Sequence, residues 1–135
     1  MSDTIDIQKR NFNGVDALLK YLNGVNEENI ITISKSDIED CFGKDVQLVC
    51  FSSKSTISIE KAQEALLGHI GDRLNSSSGV AIVYHTPMDY SLMKLSYLLN
   101  KIEVIMDEDK CMMFATYQNE TIFGVEFILN FSSFC

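Results

Sequence analysis

Val80-Ala81-Ile82-Val83-Tyr84 is an unbroken apolar run set between the polar loop Asn75-Ser76-Ser77-Ser78-Gly79 and the pair Thr86-Pro87. Short, rich in β-branched residues and flanked by turn formers, it predicts a buried strand. The stretches on either side decide how that strand is used. Upstream, Ser58 opens a segment in which Ala62, Ala65, Leu66, His69 and Ile70 recur at helical spacing and share an inner face. Downstream, Thr86 is placed to cap a helix, with Pro87 at its first position and Asp89 three residues after the cap. Leu92, Leu95, Leu99 and Ile102 then supply that helix with an apolar stripe. A strand held between two helices implies parallel pairing through right-handed crossovers.

Working outward, Val46, Leu48, Val49, Cys50 and Phe51 predict a second buried strand, followed by a polar connection from Ser52 to Thr56. Beyond the acidic turn Met106 to Lys110, the segments Cys111 to Tyr117 and Thr121 to Asn130 flank a loop at Asn119 and read as a β-hairpin. Toward the N-terminus, Asn13 and Asp16 stand in capping-box-like spacing ahead of the stripe Val15, Leu18, Leu19 and Leu22, which Gly24 ends. The apolar run Ile30 to Ile33 leads to Ser34-Lys35-Ser36-Asp37, the start of a short helix that Gly43 stops. The order is helix, short helix, strand, helix, strand, helix, strand, strand. It predicts an α+β fold, a two-layer sandwich with a mixed four-stranded sheet packed on two main helices. One domain spans 1–135, with an N-terminal extension and helix over 1–29 and the core over 30–130.

At 135 residues and 46% hydrophobic content, the chain can bury a core without metal or disulfide staples. Eleven Lys+Arg against nineteen Asp+Glu give a net charge of -8, which leaves no electrostatic footprint for nucleic acid or an anionic membrane. Acids stand at Asp3 and Asp6 where a signal peptide needs basic residues, and no apolar stretch reaches membrane-spanning length, so a cytoplasmic location is expected. Cys41, Cys50, Cys111 and Cys135 show no C-x-x-C spacing and are read as buried, reduced thiols. His69 and His85 have no neighbouring ligand at metal spacing, so no metal is expected. Asp107-Glu108-Asp109 lacks the alternation, Gly and terminal Glu of a calcium loop and reads as a solvated turn. Ser76 to Gly79 precedes a strand, not a helix, and reads as a plain loop.

With the elements in this order, several short motifs gain meaning. Lys61-Ala62-Gln63-Glu64-Ala65-Leu66-Leu67-Gly68-His69-Ile70 is similar to the R-A-x-x-A-x-x-x-A-I helix of FtsZ, the bacterial tubulin homologue. Ile30-Ile31-Thr32-Ile33-Ser34-Lys35-Ser36-Asp37-Ile38 resembles that family's L-I-N-x-D-F-A-D-V. Gly79-Val80 and Asp89-Tyr90-Ser91-Leu92 resemble its G-V strand and D-L-T-L helix start. The resemblance runs from about residue 13 to 130. It concerns the family's C-terminal (second) domain only, without the GTP-binding domain, and implies that domain's chorismate-mutase-like architecture.

No G-G-G-T-G phosphate loop occurs, and the seven glycines are scattered, so the resemblance implies no nucleotide, no cofactor and no enzymatic activity. In the family, a loop of this domain enters the neighbouring subunit's nucleotide site, where two acids help polarise water. The matching positions here are Ser34 and Asp37, so one acid is kept, and the matching Asn is replaced by Thr32. Ser34 and Asp37 also stand in the S-x-x-D relation of a helix cap. The glycines of the family's M-G-x-G-x-x-x-G segment correspond to Ser52, Lys54 and Ser58. The turn Gln118 to Glu120 is shorter than the family's last loop, and with the sequence running only to Phe131 to Cys135, adaptor binding through the family's C-terminal tail is not expected.

Two functions are therefore expected. In the first, a non-enzymatic FtsZ-like domain associates with an FtsZ-type protein through Thr32, Ser34 and Asp37, capping or modulating its filaments, or associates with itself. If the long strand Ile122 to Phe131, or the strand from Lys44, lies at a sheet edge, it favours self-association. In the second, an oligomer binds a small molecule near Tyr84, His85 and Thr86 with Lys110 and Tyr117, although only Arg10 and Arg73 are available for bidentate recognition of carboxylates.

Overall fold

The computed structural model describes residues 5–23, 28–31, 33–87, 89–118 and 123–130. The chain runs β1 (Asp6–Phe12), α1 (Val15–Asn23), β2 (Glu28–Ile31), α2 (Lys35–Phe42), β3 (Leu48–Ser55) and α3 (Ile59–Ile70). A 3-10 segment (Gly71–Ser76), β4 (Gly79–Thr86), α4 (Leu92–Ile105), β5 (Cys111–Gln118) and β6 (Phe123–Asn130) complete it. The strands form one mixed sheet in the order β1-β3-β6-β4-β5-β2. β4 and β5 are parallel across the α4 crossover, and the other neighbours are antiparallel. Among the described residues, no helix is long and apolar enough to cross a membrane.

The α+β class and the mixed sheet agree with the sequence, but the four-stranded, two-layer description is corrected. The expected strands are the central four, and β1 and β2 extend them at the edges to six. Residues of the N-terminal segment are thus part of the sheet itself. Helices cover both faces. On one, α3 and α4 bring Ala62, Leu66, Leu95 and Ile102 against Phe51, Ile82 and Phe127. On the other, α1 and α2 bring Leu18, Leu22, Ile38 and Phe42 against Leu48, Ala81, Val83 and Ile128. A sheet whose central strands are apolar on both faces must be covered twice.

The expected terminal hairpin is also corrected, because β4 lies between β5 and β6 and pairs with each of them. Thr86 does not cap α4. It is buried at the end of β4, a turn closes from Tyr90 N–H to Pro87 C=O (3.3 Å), and the helix begins after Ser91. Asp89, expected in the capping box, instead takes a left-handed conformation in that turn. Gly14, whose carbonyl accepts from Leu18 N–H (3.3 Å), takes the place expected for Asn13 at the head of α1, and Asp16 is held by Lys35 at 3.0 Å. His69 is exposed at the rim of the inner face of α3, its ring edge-on to Phe51 with centroids 5.6 Å apart. Gly24, the loop at Asn119 and the end Phe131 to Cys135 lie outside the described residues.

The cysteine expectation fails at one pair. Cys41 of α2 and Cys111 of β5 form a disulfide with Cα atoms 5.6 Å apart, the ordinary separation, while Cys50 is a buried free thiol. Gly79 makes room for the bridge, since a Cβ there would collide with the Cys111 carbonyl and the Cys41 sulfur. The adjoining serines are used internally. Asn130 Oδ1 accepts from Ser78 N–H (2.8 Å) and Ser78 Oγ (2.6 Å), and Asn130 N–H donates to Ser77 Oγ (3.0 Å). On the other face, buried Tyr84 donates to Gln63 Oε1 (2.6 Å), and Gln63 Nε2 donates to the Leu98 carbonyl (2.9 Å), joining β4, α3 and α4.

Tyr84→Phe leaves the Gln63 oxygen buried without its donor and is expected to cost about 1–3 kcal/mol in urea unfolding. The disulfide closes a loop across 70 residues. A thiol reductant is expected to lower stability by roughly 4 kcal/mol from loop-closure entropy, read by melting with and without it.

Candidate functional site

Antiparallel and parallel partners on adjacent strands share a face, so the register orders the sheet surface beneath α1 and α2 into rows. One row reads Phe12, Leu48, Asn130, and the next Arg10, Cys50, Ile128, Ala81, Met113. Beyond them come Gln8, Ser52, Glu126, Val83, Ala115 and then Asp6, Lys54, Gly124, His85, Tyr117. The surface therefore grades from apolar to polar along the strands. α1 and α2 seal the apolar part, as hydrophobic burial requires. Gly124 contributes no side chain to the last row, and a cavity of about 200 Å³ opens there, lined by residues including Gln8, Arg10, Tyr21, Ser52, His85 and Glu126.

Glu126 is the centre of this site. It is 4% exposed although it sits in the middle of the sheet. Its Oε2 accepts from Tyr21 Oη (2.8 Å) and Cys50 Sγ (3.1 Å), and its Oε1 meets His85 Nε2 at 2.5 Å. A carboxylate only accepts, so the proton between these two groups belongs to Nε2. Burial disfavours the carboxylate, but the His85 hydrogen bond and charge, with the Cys50 and Tyr21 hydrogen bonds, outweigh it and hold Glu126 below its ordinary value. Burial, followed by the Glu126 charge, pushes both Tyr21 and Cys50 up. Cys50 is thus a buried, protonated donor with no nucleophilic character at neutral pH.

Neighbouring rings and a guanidinium hold these groups in place. Tyr117 stacks on His85 with ring centroids 5.6 Å apart, Phe12 packs at 5.2 Å from the Tyr21 ring, and the Arg10 guanidinium lies 4.7 Å over the Tyr21 ring. The arrangement neutralises a buried carboxylate and presents imidazole, guanidinium and hydroxyl groups to one small cavity.

Of the residues named from the small-molecule expectation, His85 and Tyr117 meet here. Tyr84 and Thr86 are buried and lie on the opposite face, and Lys110 lines a separate hollow with Glu103, Asp107 and Glu108. Of those named from the family resemblance, Ser34 and Asp37 meet in a complete capping box at the head of α2. Asp37 N–H donates to Ser34 Oγ (3.2 Å) and Ser34 N–H to Asp37 Oδ2 (3.3 Å), with both residues exposed. Thr32 lies outside the described residues. Sequence reasoning passed over Glu126, Tyr21 and Cys50. The available signal was an acid inside the apolar run Val125 to Leu129, since acids are almost never fully buried unless paired.

No protein-family model and no curated protein matches this sequence. Among solved structures, the fold is similar to a chain of an empty FtsZ dimer from M. jannaschii, with a TM-score of 0.64 and 13% identity. The match covers 85% of this chain and 36% of that one. The chain therefore has an FtsZ-like domain fold and spans about a third of the matched FtsZ chain.

Because Glu126 titrates lower in the folded protein than its ordinary 4.5, its stabilisation is complete above that pH and is lost as pH falls through the folded value. Glu126→Gln is expected to flatten the decline of stability with acidification below about pH 4.5, measured by urea unfolding across the acid range.

Proposed function

We propose that this chain is a non-enzymatic association domain that docks on an FtsZ-type subunit or on a second copy of itself through the exposed head of α2. The FtsZ-like fold is the observation that carries this function. Ser34 and Asp37 lend support from their position, since they lie in the segment whose sequence resembles the family's intersubunit loop. Their capping box stiffens that segment, and a rigid surface loses less entropy on binding. A unit of this fold that docks by this face in place of a whole subunit halts a filament at that end.

The Asp37 carboxylate can be separated from its capping role. Asp37→Asn keeps an oxygen for Ser34 N–H while removing the charge. Sedimentation and GTP turnover of the FtsZ-type protein of the same organism are expected to fall with increasing amounts of this chain, and Asp37→Asn is expected to abolish the effect. No change at many-fold excess, together with a monomer in sedimentation velocity at every concentration, refutes both modes of association.

A further inference from the structure

We infer that the cavity beside Glu126 is a binding site for a small oxyanion, a phosphate or a compact carboxylate. It is independent of the head of α2, which lies elsewhere in the fold and contributes no residue to the cavity lining. Charge makes the first case. In a chain of net charge -8, this cavity gathers Arg10, Lys54 and His85 around a single acid. That acid is already occupied, because Glu126 receives hydrogen bonds from Tyr21, Cys50 and His85 on both of its oxygens. Asp6, opposite Lys54 in the register, is outside the lining, and its Oδ2 accepts from Gln8 Nε2 at 3.1 Å. Among the described residues, neither Arg10 nor Lys54 is in an ion pair.

Construction makes the second case. The imidazole at the cavity wall is held by a carboxylate that is itself almost wholly buried, and it is backed by the Tyr117 ring. Arg10 is steadied over the Tyr21 ring. A guanidinium matches an oxyanion through paired N–H donors, and an ammonium adds a mobile charge. The register puts Lys54 and His85 on either side of Gly124, so the missing side chain leaves the floor open between two basic groups. About 200 Å³ is the space of roughly six or seven liquid waters at about 30 Å³ each. That suits phosphate or a short carboxylate.

The test is calorimetric titration at fixed ionic strength with inorganic phosphate and, separately, with malonate. Three proteins are compared: wild type, Arg10→Gln/Lys54→Gln, and Lys61→Gln/Lys94→Gln, which removes the same charge from α3 and α4. All four side chains are exposed, so each variant is expected to keep the fold, checked by circular dichroism. Saturable binding of one equivalent is expected in wild type and in the α3/α4 variant, weakened about tenfold or more in the cavity variant, a change of about 1.4 kcal/mol. Phosphate alone binding identifies a phosphoryl ligand, malonate alone a carboxylate, and both an unselective oxyanion site. Absence of saturation by either anion overturns the inference, as does equal affinity in the cavity variant or equal weakening in the α3/α4 variant.

Discussion

A carboxylate in the middle of a sheet is tolerable only when every lone pair that faces the interior has a donor. Glu126 meets that condition with groups from three elements: Tyr21 of α1, Cys50 of β3 and His85 of β4. Each donor fixes something larger than itself. Tyr21 ties α1 to β6, and Cys50 ties β3 to it through a side chain as well as through the ladder. His85 contributes the hydrogen bond that does most to offset the burial of the acid.

The same constraint explains why the sheet surface is covered unevenly. Rows built from Leu48, Ile128 and Ala81 are closed by α1 and α2, but the rows carrying Ser52, Lys54, Gly124 and His85 are polar and need water or a ligand. On the opposite face the same end of the strands carries the buried residues Ser53, Ser55, Thr86 and Thr116, but helices cover it, and its Tyr84 to Gln63 to Leu98 chain is internally complete. The cavity is thus a consequence of where the apolar pattern of the central strands gives out.

Much of this architecture was legible in the sequence wherever a stripe or run is long. The helices around Leu18, Leu66 and Leu99 and the four central strands follow from periodicity, and the Ser34–Asp37 cap from its spacing. β1 was missed because an edge strand need bury little: Asp6, Gln8 and Arg10 alternate without an apolar face, and only Phe12 is buried. The start of α4 was misplaced because Thr86 satisfies a local capping pattern, while tertiary packing keeps it in the strand. The Cys41–Cys111 bridge and the pairing of β6 depend on which distant segments meet, which local pattern does not encode. Glu126 carried a visible signal, but its partners Tyr21 and His85 lie 105 and 41 residues away.

The place of β6 has a kinetic meaning as well. β1 pairs with β3, β4 with β5, and β5 with β2, so the sheet consists of two halves that share no ladder hydrogen bond until β6 enters between them. During synthesis the inner edges of these halves stay open until β6 has emerged. Such non-local closure is slow. A vacant slot one strand wide also accepts the same strand from another molecule, so strand exchange between nascent chains is the characteristic hazard of this topology.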